Sequence, residues 1–119
     1  MYGAVMTTAS AVLDAVGEPN RRLLLELLHQ RAESTVSELV EASGLRQPQV
    51  SKHLKVLAEA DLVAVRADGR HRRYRLEGTG LQAAHDWFAS FEDVWQMRFD
   101  ALDELVSTDP DPTTEEHQP

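Results

Sequence analysis

Apolar residues recur along this chain at two spacings, and the switch between them divides it into elements. From Thr8 to Val16 the positions Ala9, Val12, Leu13 and Val16 fall three and four apart, which marks one helical face, and Gly17 is a natural stop. Glu18-Pro19-Asn20 then leads into RRLLLELL. Proline is tolerated in a first helical turn because its missing N–H would have no partner there. Leu23, Leu24, Leu27 and Leu28 form a broad apolar stripe, predicting a second helix that ends near His29. Thr35 and Val36 read as a short extended piece, with Ser37 as the N-cap of a helix over SELVEAS that Gly44 closes. A further helix is expected from Gln47-Pro48 to about Ala60, buried along Val50, Leu54 and Leu57. A helix of about seven residues, a turn containing glycine and a second helix make a helix-turn-helix.

After Leu62 the period shortens. VAVR and RYRL read as two strands, and Asp68-Gly69 between them is a strong hairpin signal, because a tight turn needs a positive φ that glycine adopts at no cost. A basic hairpin directly after a helix-turn-helix is a wing. From Leu81 to Val106 one long helical pattern follows without Pro or Gly, carrying Leu81, Ala84, Phe88, Phe91, Trp95, Phe99, Leu102 and Leu105 three or four apart, widened by Trp87 and Val94. Large aromatic side chains are favoured at interface cores, so much of this stripe is expected to be a dimer contact. The expected organisation is a flexible N-terminus over 1–7, one domain over 8–106 with dimerisation helices at 8–16 and 81–106, and a disordered acidic tail over 107–119, which contains STDPDPTTEEHQP. The fold class is mainly α with a small β-hairpin: a winged helix-turn-helix, dimeric.

Composition narrows the function. At 119 residues the chain has room for one compact domain. No stretch approaches the ~18 consecutive apolar residues of a membrane span, and Met1–Ser10 lacks the basic and apolar regions of a secretory signal. The expectation is a cytoplasmic protein with no membrane partner. The absence of cysteine removes disulfides, thiolate zinc sites and thiol nucleophiles together. The net charge is −8, yet residues 46–75 hold eight of the twelve Lys and Arg against three acids. Such asymmetry marks a local anion-binding face on an anionic body.

Catalytic readings fail. Ser51 and His53 lie two apart on a helix and point away from one another, Asp14 and Glu18 share a face with no other group beside them, and neither a glycine-rich phosphate loop nor HExxH is present. No enzyme is expected. Nucleic acid is favoured by the order of polar groups in GLRQPQVSKHLKVLAEADLVAVRADGRHRRYRL, residues 44–76. Arg46, Gln47, Gln49, Ser51, Lys52, His53 and Lys55 offer donors to base edges and phosphates from the second helix, and Arg70, His71 and Arg72 offer them from the hairpin. Double-stranded DNA is the expected partner. A winged-helix protein-interaction module would have no need of Gln47, Gln49, Ser51 and Lys52 exposed together.

QPQVSKHLKVLAEADLV and the hairpin DGRHRRYRL, preceded by GEPNRRLLLELL and SELVEASGL, resemble the ArsR/SmtB family of winged-helix bacterial transcription regulators over residues 9 to about 105. The resemblance implies a homodimeric repressor on a roughly palindromic operator. Its recognition helix maps onto Gln47–Ala60, its wing onto Arg66–Tyr74, and its dimer contact onto the first and last helices. On these helices Val12, Leu13, Phe88, Phe91, Trp95, Phe99 and Leu102 are the expected contact residues. Many relatives sense metals, and here the resemblance breaks: Glu38–Leu45 offers only carboxylates where they carry cysteine, and the last helix has His85, Asp86, Glu92, Asp93, Asp100, Asp103 and Glu104 without a second histidine. Zinc prefers nitrogen and sulfur in tetrahedral sites. No metal and no cofactor is therefore expected, a metal-responsive regulator with an unrecognised site is the less favoured reading, and the resemblance leaves room for a small-molecule effector of unknown identity.

Overall fold

The computed structural model of the chain describes residues 8–107; the expected flexible N-terminus and all but the first residue of the expected acidic tail lie outside the described residues. The elements run α1 (Ala9–Val16), α2 (Pro19–Arg31), β1 (Ser34–Thr35), α3 (Val36–Ser43), α4 (Gln47–Glu59), β2 (Val63–Asp68), β3 (His71–Leu76), α5 (Gly78–Ala89) and α6 (Glu92–Ser107). The strands form an antiparallel sheet in the order β1-β3-β2. Two compact units divide the chain, the first running through Trp87 and the second beginning at Phe88.

In the first unit, helices α1 to α4 and the base of the hairpin close on a core of Val12, Ala15, Leu24, Leu28, Leu39, Val50, Leu54, Leu57, Ala60, Leu62 and Val63. The end of α1 and the start of α2 supply partners for one another's backbone groups that have none within the helix. The Glu18 carboxylate accepts the Asn20 and Arg21 N–H groups at 2.7 and 3.0 Å, starting α2. In return, Arg21 and Arg22 donate to the Ala15 and Val16 carbonyls at 2.6 and 2.7 Å, closing α1. Val12, expected at a dimer contact, is 1% exposed inside this core. The reason is that α1 has only eight residues and its Val12–Ala15 face is needed to cover α2 and α4.

The cap of α3 also differs from expectation. Thr35, not Ser37, starts the helix: its hydroxyl accepts the Glu38 N–H while the Glu38 carboxylate accepts the Thr35 N–H, a reciprocal capping box. Pairing with β3 holds Thr35 extended, the conformation an N-cap requires, whereas Ser37 has Val40 where a capping box needs Glu or Gln. At the far end of α4, Asp61 takes φ +58, the Asp61 N–H reaches the Ala58 carbonyl and the Leu62 N–H reaches Leu57. This Schellman motif turns the chain sharply into β2 and buries Leu62 against the last turn of the helix. Gly80 of α5 packs on that turn, its N–H donating to the Asp61 carbonyl at 2.8 Å.

The long helix expected over 81–106 is two helices, and α5 begins earlier than expected, at Gly78. In the second unit the chain tightens at Ser90–Phe91, where the Phe91 N–H bonds the Phe88 carbonyl three residues back. The Trp95 indole N–H donates to that same carbonyl at 3.1 Å. At the interruption the Phe88 carbonyl therefore accepts from both the Phe91 backbone and the Trp95 side chain, and a side chain inserted into the ladder breaks a helix without Pro or Gly. All of Glu92–Val106 is exposed, including Trp95, Phe99 and Leu102.

Gly80 has a checkable consequence. A Cβ there would lie 2.6 Å from the Ala60 carbonyl oxygen and 2.7 Å from that of Asp61, both backbone atoms. Gly80→Ala is expected to lower unfolding stability by about 1–3 kcal/mol through overpacking, read as a lower urea midpoint at unchanged slope. An unchanged midpoint would show that the α4–β2 turn yields without cost.

Candidate nucleic-acid interface

Helix α4 is held by Val50, Leu54 and Leu57, each 0% exposed, and this fixes which residues look outward. Gln47, Gln49, Ser51, Lys52 and Lys55 are exposed, as expected, and Arg46 stands exposed as N-cap. At three- and four-residue steps, Ser51, Lys55 and Ala58 form the side of α4 that faces the hairpin, while Gln49 and Lys52 lie three apart on a second stripe. The Gln49 side-chain oxygen accepts the Arg46 backbone N–H at 3.1 Å. One of that oxygen's two lone pairs is thus already used. Gln49 faces outward as an amide donor anchored at its own helix start, and any bidentate pairing with adenine competes with the cap. His53 departs from expectation: its side chain is 14% exposed and turned toward Glu18, Nε2 to Oε1 3.9 Å, with Nδ1 buried and unpartnered. Residue 53 follows Val50 by three positions and so falls on the buried face of the helix.

The hairpin sorts its charges by the pleat. Register pairs Val63 with Leu76, Val65 with Tyr74 and Ala67 with Arg72, so these six share one face; Ala64, Arg66 and Asp68 share the other with Arg75, Arg73 and His71. The first face starts in the core at Val63 and continues outward to Arg72 beside α4. On the second face Arg66 makes a two-pronged contact with Glu33, Nε and Nη2 to the two carboxylate oxygens at 3.0 and 2.9 Å, and Arg73 Nε meets Asp68 at 2.6 Å. The hydrogen bond from Arg66, reinforced by its charge, holds the Glu33 carboxyl below the ordinary carboxylate range, and Arg73 does the same to Asp68. Two of the basic residues counted in the sequence are therefore engaged by carboxylates. Arg70 sits at the turn after Gly69 (φ +64), and no ion-pair partner of Arg70 or Arg72 is found among the described residues. His71, expected beside Arg72, falls on the opposite face because consecutive strand residues alternate.

The structure thus brings Ser51, Lys55 and Arg72 together between α4 and the hairpin, leaves Gln47, Gln49 and Lys52 exposed on α4 and Arg70 exposed at the turn, and sets His53 and His71 on other faces. Sequence reading missed Tyr74 and Val65, whose place beside α4 depends on strand register. Among the described residues no group of three or more His, Asp and Glu side chains is gathered to hold a metal, and His85 and Asp86 meet at 3.4 Å as an exposed pair. Of the expected dimer contacts, Leu13 is half-buried, and Phe88, Phe91, Trp95, Phe99 and Leu102 are 40–52% exposed. No helix of the described residues is long and apolar enough to cross a membrane.

Residues 16–66 match the family model described as a helix-turn-helix domain. The transcriptional repressor SdpR of Bacillus subtilis is 30% identical over 80 residues, covering 67% of this chain and 88% of its own. Among solved structures, the ArsR family transcriptional regulator RHA00566 is similar at a TM-score of 0.64 and 28% identity, over 73% of this chain and 89% of that one. The homodimeric winged helix-turn-helix DNA-binding domain of Mb0332 from Mycobacterium bovis is similar at a TM-score of 0.55 and 26% identity, over 73% and 77%.

Charge pairing on the hairpin's outer face predicts a pH response. Because Glu33 and Asp68 titrate below their ordinary values in the folded chain, their pairs stabilise the hairpin above the ordinary carboxylate range. That contribution is lost as pH falls through the depressed folded values. A carboxyl-carbon NMR titration is expected to show both midpoints depressed, with Arg66→Ala returning Glu33 toward the ordinary range and leaving Asp68 low. A Glu33 midpoint indifferent to Arg66→Ala would rule out the pair as the cause.

Proposed function

The chain belongs to the ArsR/SmtB family of winged helix-turn-helix transcription regulators, and from that premise we propose that it acts as a homodimeric repressor on a palindromic operator. The observation that carries this reading is the exposed start of α4. Its buried stripe fixes Gln49 and Lys52 outward, Arg72 faces the neighbouring Ser51–Lys55 stripe from the hairpin, and Arg70 is exposed at the hairpin turn. In this reading α4 enters the major groove. Lys52 offers its ammonium to guanine O6 and N7, Gln49 offers its amide N–H to a base-edge acceptor, and Arg46, Lys55, Arg70 and Arg72 contact backbone. A DNA operator as partner supports reading the protein as a cytoplasmic one and calls for no catalytic step.

Dimerisation is proposed through the exposed apolar residues Phe88, Phe91, Trp95, Phe99 and Leu102, with Leu13 contributing from α1. A symmetric dimer addresses two half-sites about one helical turn apart, so the operator is an inverted repeat. Selection of bound duplexes from a random library, followed by footprinting, tests the reading. It predicts a protected inverted repeat; recovery of no preferred sequence would refute it.

Two variants separate its parts. Gln49→Ala is expected to cost roughly 1–3 kcal/mol on the selected duplex and to relax base preference at one position per half-site. Its binding to scrambled duplex should hardly change, because no charge is lost. Identical base preferences for variant and wild type would remove Gln49 from the reading set. Phe99→Ala is expected to weaken the dimer by about 2 kcal/mol, roughly thirtyfold in dissociation constant by sedimentation equilibrium. A wild type that stays monomeric at tens of micromolar, about 6–7 kcal/mol of association, would contradict the interface.

A further inference from the structure

Between α4 and the inner face of the hairpin lies a cleft of about 540 Å³. Lys55 and Ser51 stand on its helix wall, Arg72 and Tyr74 on its sheet wall, and Ala58 and Val65 supply apolar surface. No carboxylate lines it, in a chain with 20 acidic residues against 12 basic ones. Val65 is 43% exposed although it follows the core residue Val63 on the same sheet face. Tyr74 is half-buried and packs its ring against the core, and while its backbone belongs to the strand ladder its hydroxyl makes no hydrogen bond to any described residue. Ser34 Oγ and His53 Nδ1 are the buried polar side-chain atoms left without a partner among the described residues, and the Tyr74 hydroxyl, on the wall of the cleft, is not one of them.

We infer that this cleft seats one sugar–phosphate strand of the DNA, and that the Tyr74 hydroxyl is an uncharged phosphate donor within it. The inference rests on the DNA-binding reading and adds to it a residue and a division of labour. With α4 in a major groove and the hairpin tip at the adjoining minor groove, the backbone that separates the two grooves passes between them. Lys55 and Arg72 meet its charge from opposite walls. Ser51 and Tyr74 add hydroxyl donors that position phosphate without carrying sequence information. Val65 and Ala58 face the deoxyribose, whose carbon surface accounts for apolar lining where bare phosphate would not. Ser51, although on the recognition helix, then belongs to the backbone contacts, and base reading is confined to the Gln49–Lys52 stripe.

Tyr74→Phe removes the hydroxyl and keeps the ring that packs against the core. Affinity is measured for the selected duplex and for a scrambled duplex, alongside the thermal midpoint of each protein. The expected result is a loss of about fivefold to a hundredfold on both duplexes, the worth of one hydrogen bond in each half-site. The midpoint should hold, and the slope of log K against log salt should not change because no charge is removed. Lys55→Ala, by contrast, lowers that slope. Single methylphosphonate substitutions along the selected duplex provide a second arm, independent of any folding change. One position per half-site is expected to weaken wild type and to cost Tyr74→Phe markedly less. Unchanged affinity of Tyr74→Phe on both duplexes, or a loss confined to the selected one, overturns the phosphate-donor role while leaving DNA binding in place. A wild type that binds neither duplex overturns the DNA reading and the inference with it.

Discussion

Burial of Val50, Leu54 and Leu57 sets the rotation of α4 about its own axis, and nearly every functional statement about this chain depends on that rotation. Three side chains at steps of four and three, all sealed from solvent, leave the helix no freedom to roll. Truncating one to alanine would cost a few kcal/mol in transfer and cavity terms, a large share of the stability of a domain this size. The same constraint directs Ser51 and Lys55 at the hairpin, turns His53 inward against Glu18, and leaves Gln49 and Lys52 exposed on a separate stripe. The Asp61 turn and the close approach of Gly80 then place β2 at the end of α4 with little slack.

A second constraint is the alternation of the hairpin. Its arginines look like one basic cluster in the sequence, but the pleat divides them. Arg72 goes to the side facing α4, while Arg66 and Arg73 go to the other, where Glu33 and Asp68 engage them. The outer pairs are exposed, and exposed pairs contribute little to stability. Their larger effect is on the field, since they reduce positive charge on the face away from α4. The side facing α4 keeps Lys55 and Arg72 without a carboxylate partner among the described residues, as its proposed polyanionic partner requires.

Helix α4, its buried stripe and the Asp68-Gly69 turn were legible because each is written in local spacing. The cap of α3 was legible as well, because Thr35 with Glu38 three positions on is a local capping signature that Ser37 with Val40 lacks, so the Ser37 expectation was a misreading of local sequence. Val12 was misplaced because periodicity identifies an apolar face without saying what covers it. The break at Ser90–Phe91 carries no Pro or Gly, and the Trp95 indole bond to Phe88 is a contact that apolar spacing does not announce. At the candidate site, exposure of the α4 donors could be deduced from the helical period. The Glu33–Arg66 pair, 33 positions apart, and the Tyr74–Val65 wall could not, since both follow from strand register.

The central claim is that DNA engages the side built from the exposed face of α4 and the inner face of the hairpin. The most direct test is an amide chemical-shift map of the labelled protein as a selected duplex is added. The account predicts shifts concentrated in Gln47–Lys55 and around Arg70, Arg72 and Tyr74, with the α2 surface around Glu26 and His29 unmoved. Shifts concentrated instead on the strand face of Arg66, Arg73 and Arg75, with α4 silent, would contradict it.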